Sequence, residues 1–228
     1  NINLLLEGNS RVHWAEYTPR KCKYFHTSKD SEIPKNIDSN NLIWASVGNF
    51  SSLNLKKENE VKTKDINLLN LPDYFGVDRA LACLAVLETI KNPFKKDLLI
   101  ADCGTILSLT KLTAKGALIG GQLAPGFLTQ LKAIEKYTKN LKAPQKYEMP
   151  DQEFIFNTED AILKGVLNSI IGLINLSFNP SKDILITCGG DSELITSILK
   201  NKYEEIINNP NLVMKGMISH LQSSKILR

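Results

Sequence analysis

Few features of this chain announce a chemistry outright. Its 228 residues hold three histidines and four cysteines. His13, His26 and His220 are too scattered to suggest a metal centre, and Cys22, Cys83, Cys103 and Cys188 form no C-x-x-C pair. No apolar run approaches the length of a bilayer span, and the first residues lack the basic, apolar, small-residue order of a signal peptide, so no membrane partner is expected. There is no G-x-x-x-x-G-K-[ST], which excludes a P-loop lysine as the phosphate ligand. Charge of one sign is scarce too. The net +4 comes from lysines spread along the chain, serves solubility as readily as anion binding, and makes no case for nucleic acid.

What remains is an ordinary globular composition, 43% apolar and 23% charged, with enough chain to bury a core in one large domain or two small ones. Three of the cysteines sit in apolar surroundings, where a reduced thiol acts as a small hydrophobe, so a reducing, cytoplasmic compartment is expected.

The chain opens as a hairpin: apolar Ile2–Leu6, turn residues Glu7–Ser10, then Val12 and Trp14 alternating with polar neighbours through Tyr17. Residues 27–40 read as a polar loop, 42–47 as a strand, and 55–67, rich in lysine and acids, as a solvated excursion. Residues 79–90 are apolar almost all round, as in a buried helix, with Pro93 as its stop. Three short strands follow over 98–119. Ile162, Val166, Ile170 and Ile174 then recur every fourth residue, predicting a helix of about four turns. A buried strand at 184–187, a turn at 188–191 and a helix at 192–200 complete the reading. LLLEGNSRVHWA and LIADCGTILSLT share one design, an apolar strand, a glycine turn and a second strand, about a hundred residues apart. They suggest a duplicated β-β-β-α-β unit whose turns can offer N–H and hydroxyl groups to a phosphate.

Two carboxylates stand out. Asp78, with Arg79, opens the buried helix, where it can complement the helix dipole or accept a hydroxyl proton beside a guanidinium that holds an anion. Asp102 ends an apolar strand and can bond its own turn, act as a base or ligate a cation. Thr158 is placed to cap the long helix, and GGQLAPG (120–126) reads as a shaped loop.

In order, these pieces resemble the type III pantothenate kinases. Leu6-Glu7-Gly8-Asn9-Ser10-Arg11 stands for that family's D-x-G-N-[ST]-R, Gly76-Val77-Asp78-Arg79 for G-x-D-R, and Asp102-Cys103-Gly104-Thr105 for D-x-G-T. Gly120–Gly126 matches G-G-x-[IL]-x-P-G, Asn157-Thr158 the N-T before a long helix, and Thr187–Asp191 the T-G-G-[DG] element with one inserted residue. The resemblance implies an α/β, duplicated ribonuclease H-like (actin-like ATPase) fold: two mixed-sheet halves with flanking helices, 1–96 and 97–228. It implies ATP-dependent phosphorylation of pantothenate to 4'-phosphopantothenate, the first step of coenzyme A synthesis. The alternatives are a related kinase with another hydroxyl acceptor, or a nucleotide-binding regulatory protein.

By the same resemblance Asp78 is the general base, and Gly76, Val77, Asp78 and Arg79 hold the substrate. Thr158 joins them from the neighbouring subunit of a homodimer. Leu6, Glu7, Gly8, Asn9, Ser10, Arg11, Val12, His13 and Thr105 contact ATP, which is bound with Mg2+. Asp102 ligates a monovalent cation, K+ or NH4+. The chain departs from the pattern at Leu6, where the family has Asp, at Thr110, where it often has Asp, and at Leu69, where it often has Tyr, with Tyr74 nearby.

Overall fold

The alternation at the start of the chain folds as its pattern predicts. In the computed structural model, which describes residues 2–28, 41–48, 55–92 and 95–224, β1 (Ile2–Glu7) and β2 (Arg11–Thr18) form an antiparallel hairpin. β3 (Lys21–Ser28) pairs with β2, and β4 (Leu42–Ser46) runs parallel to β1. The sheet order is β3-β2-β1-β4. Its period of two puts Leu5, Val12, Leu42 and Trp44 into one cluster, while Leu4, Leu6 and Ala15 are buried on the opposite face. β3 begins within residues not read as a strand and extends into the expected loop at 27–28. Alternating lysines had hidden it, and pairing with β2 creates it. The rest of that loop, 29–40, lies outside the described residues.

The segment 55–67 is not a solvated excursion. It makes two 3-10 turns, Lys57–Asn59 and Thr63–Asp65, and buries Val61, Thr63 and Ile66. β4 holds it: Trp44 Nε1 donates to the Lys56 carbonyl at 2.9 Å, and Val61 N–H donates to the Trp44 carbonyl at 2.7 Å. Lys56, Lys57, Glu58, Lys62, Lys64 and Asp65 are exposed, while Val61 and Ile66 are buried and Leu55 packs against the cluster of Leu5 and Trp44.

Helix α1 (Val77–Thr89) is buried through Val86, as its composition predicts. The chain divides into two units, Asn1–Pro93 with Gly116–Leu118 and Asn211–Arg228, and Phe94–Lys115 with Ile119–Pro210. The last helix therefore falls in the first unit, not with the residues from 97 onward, because it packs along α1.

In the second unit β5 (Asp97–Cys103) and β6 (Ile106–Leu112) pair antiparallel, β7 (Leu118–Pro125) forms one edge, and β8 (Asp183–Cys188) lies parallel to β5. With β9 (Ile206–Asn208) the order is β7-β6-β5-β8-β9. The first sheet repeats that order without a fifth strand, so the suspected duplication is real at the level of topology. Most of GGQLAPG is strand β7, not loop; only Gly126 leaves the sheet, as the N-cap of α2 (Phe127–Tyr137), a helix the sequence reading passed over.

α3 (Thr158–Ser177) is longer than predicted, and its N-cap is Asn157 and not Thr158, which is the first helical residue; the Asn157 side chain accepts the Asp160 N–H at 3.0 Å. Contrary to the sequence reading, α3 has the length and apolarity to cross a membrane, the one such helix among the described residues. Leu163, Val166, Leu167, Ile170 and Ile174 of that helix, however, join Leu99, Leu109 and Leu185 in the core of this unit. α4 (Ser192–Leu199) follows β8, and α5 (Leu212–Ser223) ends the described chain.

Candidate active site

The first unit places G-x-D-R beside a cleft of about 260 Å3, bounded by Ser46 and Val47, by residues 60–63 and by residues 73–77. Gly76 is the N-cap of α1, and the Asp78 carboxylate folds back against it: a Cβ at position 76 would stand 2.7 Å from Asp78 Oδ1. Glycine is the residue that leaves this space. Asp78 Oδ1 also accepts the Arg79 N–H at 2.8 Å. Burial pushes the Asp78 carboxyl above the ordinary range, opposed by the Arg79 N–H and guanidinium. The Arg79 guanidinium sits 3.9 Å over the Phe75 ring, a stacking that fixes its direction. Phe75 escaped the sequence reading; an aromatic directly before G-x-D-R was the available signal. Tyr74 is 90% exposed at the cleft, and Leu69 is also exposed.

In the β1–β2 turn, Gly8 N–H donates to the Arg11 carbonyl at 2.9 Å. Leu6 is a core residue, buried opposite His13 and beside Ala45. Glu7 points to the other face and accepts from Ser46 Oγ at 3.0 Å. Val12 is core as well. His13 Nδ1 lies 2.7 Å from His26 Nδ1, and His26 Nε2 lies 3.0 Å from Asn211 Oδ1. The amide oxygen only accepts, so His26 donates to it from Nε2, and the two Nδ1 atoms share one hydrogen bond. Burial, His26 and Arg11 together lower His13 to about 4, which keeps it neutral.

In the second unit, β5 delivers Asp102 to the end of the sheet, next to Gly189 at the end of β8. Gly189 has φ +89°, and a Cβ there would run into Asp102 Oδ1 and the Cys103 carbonyl. Two oxygens thus converge on a space that only glycine leaves open. Asp191 N–H donates to the Cys103 carbonyl at 2.9 Å and anchors the turn. The Thr105 carbonyl accepts from Gly126 N–H at 2.9 Å and Thr129 Oγ1 at 2.6 Å, and a Cβ at Gly126 would fall on the Gly104 carbonyl. This packing joins the D-x-G-T turn to the end of GGQLAPG, which the sequence could not show. Thr158 is exposed at the first turn of α3.

Residues 40–179, more than half of the chain, match the model of the family described as type III pantothenate kinase. The chain belongs to that family. The matched span contains G-x-D-R, D-x-G-T, GGQLAPG and Thr158, and begins after the hairpin in which Leu6 stands for Asp. Type III pantothenate kinases of Synechocystis and Helicobacter pylori are 28% and 27% identical to it, covering 93% and 96% of this chain and 87% and 91% of their own. Among solved structures, one described as a Baf family transcriptional activator from Campylobacter jejuni superposes with a TM-score of 0.72 at 20% identity, over 98% of this chain and 99% of that one. The ADPNP-bound activator of a 2-hydroxyisocaproyl-CoA dehydratase from Clostridium difficile gives 0.53 at 11%, over 100% and 98%. At these identities they show the fold alone, the two mixed sheets of repeated strand order with flanking helices. As a member of its family the chain is an ATP-dependent pantothenate kinase, a transferase of coenzyme A synthesis.

Proposed function

We propose that Asp78 is the general base of this kinase, taking the proton of the pantothenate primary hydroxyl as that oxygen accepts the γ-phosphoryl group of ATP and ADP leaves. The observation that carries the assignment is geometric: the half-buried Asp78 carboxylate sits at the first turn of α1, folded against Gly76 of the cleft wall and held by the Arg79 N–H, and burial raises its proton affinity. A carboxylate so raised is a better acceptor near neutral pH. Gly76 and Val77 line the cleft, and Arg79, held by Phe75, supplies the fixed positive charge beside the acceptor.

The β1–β2 turn, residues 6–13, and Thr105 form the ATP contacts. Of these, Leu6 and Val12 are core residues that support the turn from beneath, and the backbone and hydroxyl groups of Gly8, Asn9 and Ser10 are the polar donors it would offer to phosphate oxygens. His13 contributes as half of its histidine pair. Asp102 holds K+ or NH4+; the converging Asp102 and Cys103 oxygens are the hard donor set such a cation takes, and it supplies countercharge to phosphate where no P-loop lysine exists. Leu6 offers no oxygen, and no group of three metal-ligating side chains occurs among the described residues. Mg2+ enters this reading as the companion ion of ATP, and no side chain of this chain is assigned to hold it.

The enzyme is a cytoplasmic homodimer in this reading. Four free cysteines suit a reducing compartment. Ala161, Gly165, Asn168 and Leu176 form an exposed stripe on α3 that begins near Thr158 and Phe156, a surface a second copy can cover. A coupled ADP-release assay with ATP, Mg2+ and pantothenate tests the site. We expect turnover to need K+ or NH4+ and to fall 10²–10⁴-fold in Asp78→Asn. Wild-type turnover in that variant removes Asp78 from the role of base.

A further inference from the structure

Residues 55–67 carry no motif, yet Glu60–Thr63 of that segment line the cleft together with residues 73–77. Thr63 is 7% exposed, and its hydroxyl donates to the Phe75 carbonyl at 2.6 Å. We infer that Thr63 is a positioning residue for the acceptor site, setting the Phe75–Gly76 backbone from which Arg79 and Asp78 take their geometry. The inference rests on the roles proposed above for those two residues.

The connection is continuous. The Phe75 ring carries the Arg79 guanidinium at 3.9 Å. The next residue, Gly76, caps α1 and lies against the Asp78 carboxylate. A displacement of the Phe75 backbone therefore reaches the cation and the base together. Thr63 can serve as the fixed end because its own segment is tied down. Asp65 Oδ2 accepts the Lys62 N–H at 2.9 Å, closing the 3-10 turn, and Val61 N–H reaches the Trp44 carbonyl of β4 at 2.7 Å. The Thr63 hydroxyl supplies a hydrogen bond between this anchored wall and the loop that leads into α1. Valine keeps its shape and removes only the donor, while serine keeps the donor and removes a methyl group.

The test compares Thr63→Val with Thr63→Ser in steady-state kinetics and in calorimetric titration with pantothenate. Thr63→Val is expected to lower kcat/KM for pantothenate about tenfold, with KM for ATP within twofold of wild type, a loss of the order of one hydrogen bond. Thr63→Ser is expected to recover most of it. If Thr63→Val does not fold, Thr63→Ala set against Thr63→Ser gives the same comparison. Wild-type kinetics for pantothenate in the valine variant, or equal losses in valine and serine variants, would overturn the inference, the second outcome pointing to packing alone. Calorimetry needs no turnover, so pantothenate binding unaffected by Thr63→Val defeats this inference alone. Full activity of Asp78→Asn defeats the assignment of the base alone.

Discussion

His13 shows how a residue's chemistry follows from its neighbours. In isolation it titrates near 6.5; in the sheet, burial, His26 and Arg11 hold it to about 4. Between those values the unfolded chain takes up a proton that the folded chain refuses, so stability is lost as the pH falls through this window. Burial lowers His220 as well, and its contribution has the same sign. Asp78 works in the opposite sense: its raised carboxyl favours the folded state at low pH, and that contribution is lost as the pH rises through its folded value. The histidine effect is separable by substitution. His13→Gln is expected to remove about one proton from the slope of unfolding free energy against pH between about 6.5 and 4. Urea titrations at several pH values measure it; an unchanged slope would mean that His13 titrates alike in both states.

Among the elements, helix packing turns on individual glycines. Gly216 of α5 lies where a Cβ would strike the backbone of Leu81, so α5 rests directly against α1. Gly172 of α3 has nothing within 4 Å of the same position. Gly216→Val is therefore expected to destabilise the fold by about 2 kcal/mol or more, within the 1–3 kcal/mol typical of overpacking or above it. Gly172→Ala is expected to be neutral or to stabilise by up to about 1 kcal/mol through helix propensity. Thermal unfolding of the two variants side by side decides the matter, and equal shifts would mean that the helix contact is not the cause. An ion pair with one buried member has a comparable place in the second sheet. Asp183 is 2% exposed, with Lys111 Nζ 2.9 and 3.0 Å from its two oxygens and the Asn179 N–H at 2.9 Å. It joins the start of β8 to β6 from opposite sides of β5.

At the scale of the whole molecule, two sheets of one topology carry two different ends. Leu6 and Asp102 occupy equivalent positions, two residues before the glycine that follows the first strand of each sheet; Leu6 is buried in the core and Asp102 is a half-buried carboxylate. In the proposed reading the cation site lies in the second unit and the base in the first. The homodimer reading makes its own prediction. Gly172→Arg, on the α3 surface, is expected to yield a folded monomer by size-exclusion chromatography with light scattering, with turnover at least tenfold lower for want of the partner's Thr158. A dimer of unchanged mass and activity would rule out this face as the interface.

The sequence by itself determined what local periodicity and turn chemistry can encode. The opening hairpin, the buried helix after G-x-D-R, the spacing of α3 and the glycine turns all rest on interactions within a few residues. It also carried the family's motifs, and with them the fold and the reaction. Only the tertiary structure decided the rest. β3 is a strand because β2 pairs with it, and 55–67 is a wall because Trp44 and Thr63 hold it. GGQLAPG is an edge strand because β6 offers it a ladder. Gly126 and Gly189 are needed for backbone and carboxylate atoms that lie more than twenty and more than eighty residues away in the chain. These are long-range contacts, and a residue's type records little of which distant atom it will meet.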